Sequence, residues 1–291
     1  VESRGLGDVY KRQASTYGFT AETFYSNWSD VTTAINNVVR NLDGSKQAQV
    51  DGYAAAIRKA ISALAENKAD YTAVVAAQDE ASPIITNGST LYTAESLNRV
   101  KDAYMAVVPN LNISQQATVD SYANNIRDAI SKLEYLPASY TEVDQKITEA
   151  NAKLAANETY VNAHPGYSLY TAETLSALNL AIASVDRSLN ITQQSTVDGY
   201  ATAIGNAISG LKYAPADYTQ VELAKANIPT DLSLYTTLSV ATLNSVLKKI
   251  DTTLTADQQS KVDGYVASIN NAINNLKFKD ADYSKVTAAK N

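Results

Sequence analysis

Four segments of the chain read almost alike: "QVDGYAAAIRKAISAL" at 49–64, "TVDSYANNIRDAISKL" at 118–133, "TVDGYATAIGNAISGL" at 196–211 and "KVDGYVASINNAINNL" at 261–276. A fixed internal period restricts a chain to units that follow one another in series, whatever the secondary structure of each. Two further elements keep the register. The valines of "VD(G/S)Y" (Val50, Val119, Val197, Val262) and the tyrosines of "ADY" or "ASY" (Tyr71, Tyr140, Tyr218, Tyr283) both step by 69, 78 and 65 residues. "LYTAES", "LYTAET" and "LYTTLS", at 91, 169 and 234, step by 78 and 65. The copies differ mainly between "ADY" and "LYT". Tyr71 to Thr93 is 22 residues, Tyr140 to Thr171 is 31, and Tyr218 to Thr236 is 18. Variation of this kind belongs to loops and helix ends.

Within a copy, three segments show helical spacing of apolar residues. Val119, Tyr122, Ile126, Ile130 and Leu133 step by three and four, and Val197, Tyr200, Ile204, Ile208 and Leu211 repeat them. The middle segment gives Leu175, Leu178, Ile182, Val185 and Leu189, matched by Val240, Leu243, Leu247, Ile250 and Leu254, and in the first copy by Trp28, Val31, Ile35, Val38 and Leu42. A shorter first segment carries Val143, Ile147, Ala150 and Leu154. Side-chain oxygens stand where helix starts need them. Asp70, Ser139, Asp217 and Asp282 precede the first helix, Thr93 and Thr171 the second, and Ser45, Ser114, Thr192 and Asp257 the third, while Pro137 and Pro215 mark the joints. The expected fold is all-α, a tandem array of small three-helix bundles. A helix of about 20 residues is about 30 Å long, so four units in series reach on the order of 100 Å.

Thirty acidic against 24 basic side chains, a net charge of −6, argue against a nucleic-acid surface. There is no cysteine and one histidine, His164, so thiolate metal sites and histidine-based catalysis have almost nothing to draw on. No apolar run approaches the roughly 18 residues needed to cross a bilayer. The chain carries no Walker loop, dinucleotide fingerprint, calcium loop or nucleophile elbow. Neither a cofactor nor an enzymatic activity is expected.

The expected boundaries follow the period. Residues 14–68 form a first copy lacking its first helix, 69–137 a second, 138–215 a third and 216–279 a fourth, with 280–291 opening a fifth. Residues 1–13, "VESRGLGDVYKRQ", match none of the copies and resemble translated sequencing-adapter DNA. They are set aside as a non-native segment, the remainder being read as an internal fragment of a longer repetitive protein.

The ordered set of an "ADYSKV"-type helix start, "LYTAESL" and "QQATVDSYANNIRDAISKL" resembles the FIVAR repeat, a module named as found in various architectures. The likeness covers nearly everything from Ala14 to Asn291. It implies a small helical bundle in secreted or wall-attached multimodular proteins of Gram-positive bacteria, adhesins and glycan-degrading enzymes among them. No ligand-binding motif comes with it. The function so implied is a non-catalytic, extracellular spacer, stalk or adhesive region, monomeric and extended, without contact to nucleic acid or membrane. The alternative is a module binding a host matrix protein or a glycan, accessory to a carbohydrate-active enzyme.

The recurring Tyr53, Tyr122, Tyr200 and Tyr265 lie on the apolar stripe and are read as core residues with hydroxyls at the bundle edge, where Asp51, Asp120, Asp198 and Asp263 either partner them or are simply solvated. Tyr92, Tyr170 and Tyr235 precede the second helix, where a tyrosine either packs back on the helix or stacks on a sugar. The third copy alone has the stretch "NETYVNAHPGYSLY", read as a long loop exposing Tyr160, His164 and Tyr167. These six residues are the candidate ligand-binding set. The sequons "NWS", "NGS", "NIS", "NET" and "NIT" include two that arise where asparagine precedes a Ser or Thr helix cap.

Overall fold

The computed structural model describes residues 2–290. Among them the chain is all-α, with fourteen α-helices, six short 3-10 turns and only isolated β-bridges. It divides into two compact units, Val1–Leu136 and Pro137–Asn291.

The first unit holds α1 (Glu2–Thr16), α2 (Ala21–Phe24), α3 (Trp28–Asn36), α4 (Gln47–Ser62), α5 (Thr72–Asn87), α6 (Ala94–Met105) and α7 (Gln116–Ser131). Helices α5, α6 and α7 pack on one another around Val74, Ala77, Ala81, Val100, Val119, Ala123 and Ile126. Helices α3 and α4 pack around Trp28, Val31, Ile57 and Ile61. Helix α1 lies against α4, and its Tyr10 and Ala14 join the cluster. A helix, α1, thus precedes the first copy and touches its α4. Thr20 caps the single turn α2, the helix ends at an extended Tyr25, and α3 starts anew at Trp28. Because α3 ends at Asn36, the expected face is shortened, leaving Ile35 exposed and Val38 and Leu42 in the following loop.

The second unit holds α8 (Thr141–Ala163), α9 (Ala172–Ala183), α10 (Gln194–Ser209), α11 (Thr219–Ala226), α12 (Thr237–Lys248), α13 (Gln259–Asn274) and α14 (Ser284–Lys290). One core gathers Val143, Ala150, Leu178, Val197, Ala201 and Ile204 from α8, α9 and α10. A second gathers Val221, Ala224, Leu254, Val262 and Ile269, with Leu243 of α12 fully buried. The periodic stripe is thus the buried face, each deeply buried aliphatic side chain contributing about 1.5–3 kcal/mol. Tyr122, Tyr200 and Tyr265 are half-buried at the edge of that face, as the spacing anticipated.

Length variation among the copies is carried largely by the first helix. α5 has 16 residues, α8 has 23 and α11 has 8. Caps of the third helix also differ from expectation. A 3-10 turn precedes each third helix, so the capping residues are Asp43, Asn112, Asn190 and Thr255, two positions before Ser45, Ser114, Thr192 and Asp257. Asp70, Asp217 and Asp282 accept from the N–H groups of Thr72, Thr219 and Ser284 at 2.8 Å, consistent with their expected capping role.

Candidate functional site

The stretch read as a long loop in the third copy is mostly helix. Ala150, Leu154, Asn157 and Tyr160 continue the inward face of α8 past its core contacts, and nothing in "AKLAANETYVNA" interrupts a helix. Pro165 then forces His164 out of helical geometry (φ −130°, ψ 76°), and Gly166 turns the chain at φ +91°, a conformation that favours glycine. Asn157 fastens the return, its Oδ1 accepting from Ser168 Oγ at 2.8 Å, Leu169 N at 3.0 Å and Tyr170 N at 3.3 Å.

The extension delivers its three candidate residues onto the start of the next copy rather than to solvent. Tyr160 donates its hydroxyl to Gln259 Oε1 at 2.8 Å, and its ring lies 4.6 Å from that of His164. His164 Nδ1 lies 3.3 Å from Asp217 Oδ2, and Tyr167 Oη lies 3.3 Å from Thr219 Oγ1. Burial raises the Asp217 pKa, but hydrogen bonds from Thr219 and His164 together outweigh it, so the carboxyl titrates below the usual aspartate range. Burial pushes the Tyr160 phenol up. Expected as the most exposed ligand-binding candidates, Tyr160 and His164 are half-buried and engaged, because the helix that carries them is long enough to reach α11 and α13. Tyr167 is more open but also meets the next copy through Thr219.

Gln259 is a residue that sequence reading passed over. It is 8% exposed and makes four hydrogen bonds. Its Oε1 accepts from Tyr160 and from Asp217 N at 2.8 Å, and its Nε2 donates to Asp217 O at 2.8 Å and Asp263 Oδ1 at 3.0 Å. Gln194 grips Ser139 in the same way (2.7 and 2.9 Å), and Gln116 grips Asp70 (2.7 and 3.0 Å). Each such glutamine is steadied by the aspartate four residues on, so Asp120, Asp198 and Asp263 hold glutamine rather than the neighbouring tyrosine. The signal was present: Gln47, Gln116, Gln194 and Gln259 keep the register of the repeated valines.

The "ADY" tyrosines do related work. Tyr71 donates to Val108 O at 2.6 Å and accepts from Leu111 N at 3.1 Å; Tyr140 bridges Asp186 O (2.6 Å) and Leu189 N (3.3 Å). Tyr218 bridges Asp251 O and Leu254 N. The segments between copies are bonded on both edges. Ala214 N donates to Leu169 O at 3.0 Å while Ala214 O accepts from Ala256 N at 2.8 Å. In the first unit Asn67 N donates to Phe24 O and Asn67 O accepts from Ile113 N, both at 2.8 Å, and Ile113 buries its side chain in the first core.

Tyr92, Tyr170 and Tyr235 lie along these same segments, stacked on Tyr135, Tyr213 and Phe278 with ring centroids 5.0, 5.3 and 4.6 Å apart. Tyr170 is buried and the other two half-buried, whereas Tyr135, Tyr213 and Phe278 are exposed. The structure therefore brings Tyr160, His164 and Tyr167 together at one joint and leaves Tyr92, Tyr170 and Tyr235 at three separate ones. Among the described residues no group of three or more His, Cys, Asp or Glu is arranged to hold a metal ion, and no helix is long and apolar enough to cross a membrane. Two surface recesses are present, one of about 420 Å³ beside Glu22, Tyr25 and Trp28 and one of about 320 Å³ beside Ile85, Tyr104 and Met105. Comparison with protein-family models, with curated proteins and with solved structures finds no significant match to this chain.

Proposed function

We propose that the chain is a tandem array of FIVAR-like three-helix bundles serving as a non-catalytic spacer or stalk in an extracellular or wall-attached bacterial protein. The observation that supports this most is the bonding of the joints. A flexible tether leaves its linker backbone to water, whereas residues 64–71 in the first unit and 212–218 in the second are paired on both edges and gripped by glutamine. Contacts between neighbouring units are what make an array of small bundles more stable than its parts. The one histidine adds to this reading, since His164 is paired with Asp217 and the neighbouring Tyr160 with Gln259 across a joint. The working form is a monomer, and no cofactor enters.

A second reading, binding of a host matrix protein or a glycan, is favoured by one observation. Tyr135, Tyr213 and Phe278 present exposed rings at matching positions of three copies. The test is to immobilise the purified chain and pass matrix proteins and a glycan array over it, with a Tyr135→Ala, Tyr213→Ala, Phe278→Ala variant as control. Silence toward both sets fits a spacer. Micromolar binding that the triple variant loses would replace the spacer reading with the second.

A further inference from the structure

The smaller recess lies on the second copy, where α5, α6 and α7 form a complete bundle. Ser82, Ile85 and Thr86 line it from α5 and Lys101, Tyr104 and Met105 from α6, each trio spaced by three and four so that it shares one helix face. Its walls are mostly carbon: Ile85, the Met105 thioether, the Tyr104 ring and the methylene stem of Lys101. Tyr104 is half-buried against the bundle core, whereas Met105 is 71% exposed.

One charge in this recess is unanswered. Among the described residues Lys101, Lys146 and Lys225 are the half-buried lysines. Lys146 pairs with Glu149 at 2.9 Å and Lys225 with Glu222 at 2.8 Å, while Lys101 has no carboxylate within ion-pair distance. Glu95 and Glu80, on the same two helices, are taken by Arg99 and Arg127. Asp102 is exposed and turned about 100° from Lys101 around the helix. The Tyr104 hydroxyl bonds no protein group among the described residues. This combination belongs to the second copy alone: the positions matching Lys101, Tyr104 and Met105 hold Asn179, Ile182 and Ala183 on α9, and Asn244, Leu247 and Lys248 on α12.

We infer that this recess binds a small aliphatic carboxylate of the medium-chain fatty acid type, its head on Lys101 and the Tyr104 hydroxyl and its tail along Ile85 and Met105. A carboxylate supplies the charge that the chain itself withholds from Lys101, and the tail takes the place of water over carbon walls. Methionine, unbranched and polarisable, suits a tail of no fixed shape. At about 320 Å³ the recess stands at the lower end of small-molecule sites, which run from about 300 to 1,000 Å³. A protein partner would need about 800 Å² of matching surface, and the flanking turns here carry the charged Asp79, Glu80, Arg99 and Asp102. The site adds a binding activity to the array and does not depend on the array being a spacer.

Met105 is the chain's only methionine, so isotopic labelling of its methyl group gives a single resonance at the site. Octanoate titrated into the full chain should move that resonance saturably, with a dissociation constant of about 0.1–1 mM for a ligand this small. Acetate, a head without a tail, and octanol, a tail without a charge, should each bind about tenfold more weakly or worse. Lys101→Gln, with its fold checked by circular dichroism, should lose about five- to tenfold in octanoate affinity and leave octanol binding unchanged. Absence of a saturable shift up to about 10 mM octanoate, equal octanoate affinity in Lys101→Gln and wild type, or octanol bound as tightly as octanoate would overturn the inference. Displacement of octanoate by lower concentrations of a short acidic peptide would overturn it too, making the ligand a protein.

Discussion

Replacing Gln259 with alanine removes four hydrogen bonds at once, two of them to the backbone of Asp217. At a net 0.5–1.5 kcal/mol each, the loss is about 2–6 kcal/mol, and re-hydration of the freed groups at this part-exposed joint brings it to about 2–4. Gln194→Ala removes only three such bonds, all without a tyrosine partner, and is expected to cost about 1–3 kcal/mol. Global unfolding is a poor readout, since several cores in one chain need not melt together. Native-state hydrogen exchange at the Asp217 amide reports the joint directly. Two to four kcal/mol corresponds to about 30- to 1,000-fold faster exchange, whereas core amides of α13 should change little. Unaltered protection at Asp217 in Gln259→Ala would mean that the glutamine is a bystander and that the joint is held by something else.

Tyr218→Phe deletes one hydroxyl that serves Asp251 O and Leu254 N, with an expected cost of about 1–3 kcal/mol read as faster exchange at the Leu254 amide; Tyr283→Phe, at an exposed phenol, should be neutral. The depressed Asp217 carboxyl contributes stability that is complete above the ordinary aspartate value of about 3.9 and lost as pH falls through its folded value. The Tyr160 ring resonances should therefore hold steady down to mildly acidic pH and shift only below that value; a shift already complete at higher pH would count against the carboxylate as the group that holds the clasp. Ile204→Ala, at a fully buried position, should cost about 2–5 kcal/mol in exchange of α10 amides, and Tyr122→Ala less than that because its edge is already wet.

The helices and their inward faces were legible because apolar spacing is a local signal, and four copies repeat it. Val119, Ile126, Val197 and Ile204 are buried where periodicity placed them. The joint was not legible for a physical reason. Glutamine at a helix start reads as a solvated residue, and its partners lie 46, 55 and 42 positions away. The stretch around Tyr160 was misread because polar residues hid a helical period that Ala150, Leu154, Asn157 and Tyr160 in fact continue. "HPG" marked the end of that helix, not the middle of a loop. Aromatic stacking of Tyr170 on Tyr213 likewise joins residues 43 apart in sequence, a pairing that neither tyrosine announces by itself.

Because the chain has no cysteine, a pair of spin labels can be placed across one joint without competing thiols. Asn179→Cys on α9 and Asn270→Cys on α13 are exposed positions on either side of residues 212–218. Pulsed dipolar spectroscopy on that pair should give a single narrow distance distribution, broadened when Gln259→Ala is added. A broad distribution in the otherwise unaltered chain would show that the bonded segment does not fix its neighbours, and the spacer reading would lose its foundation.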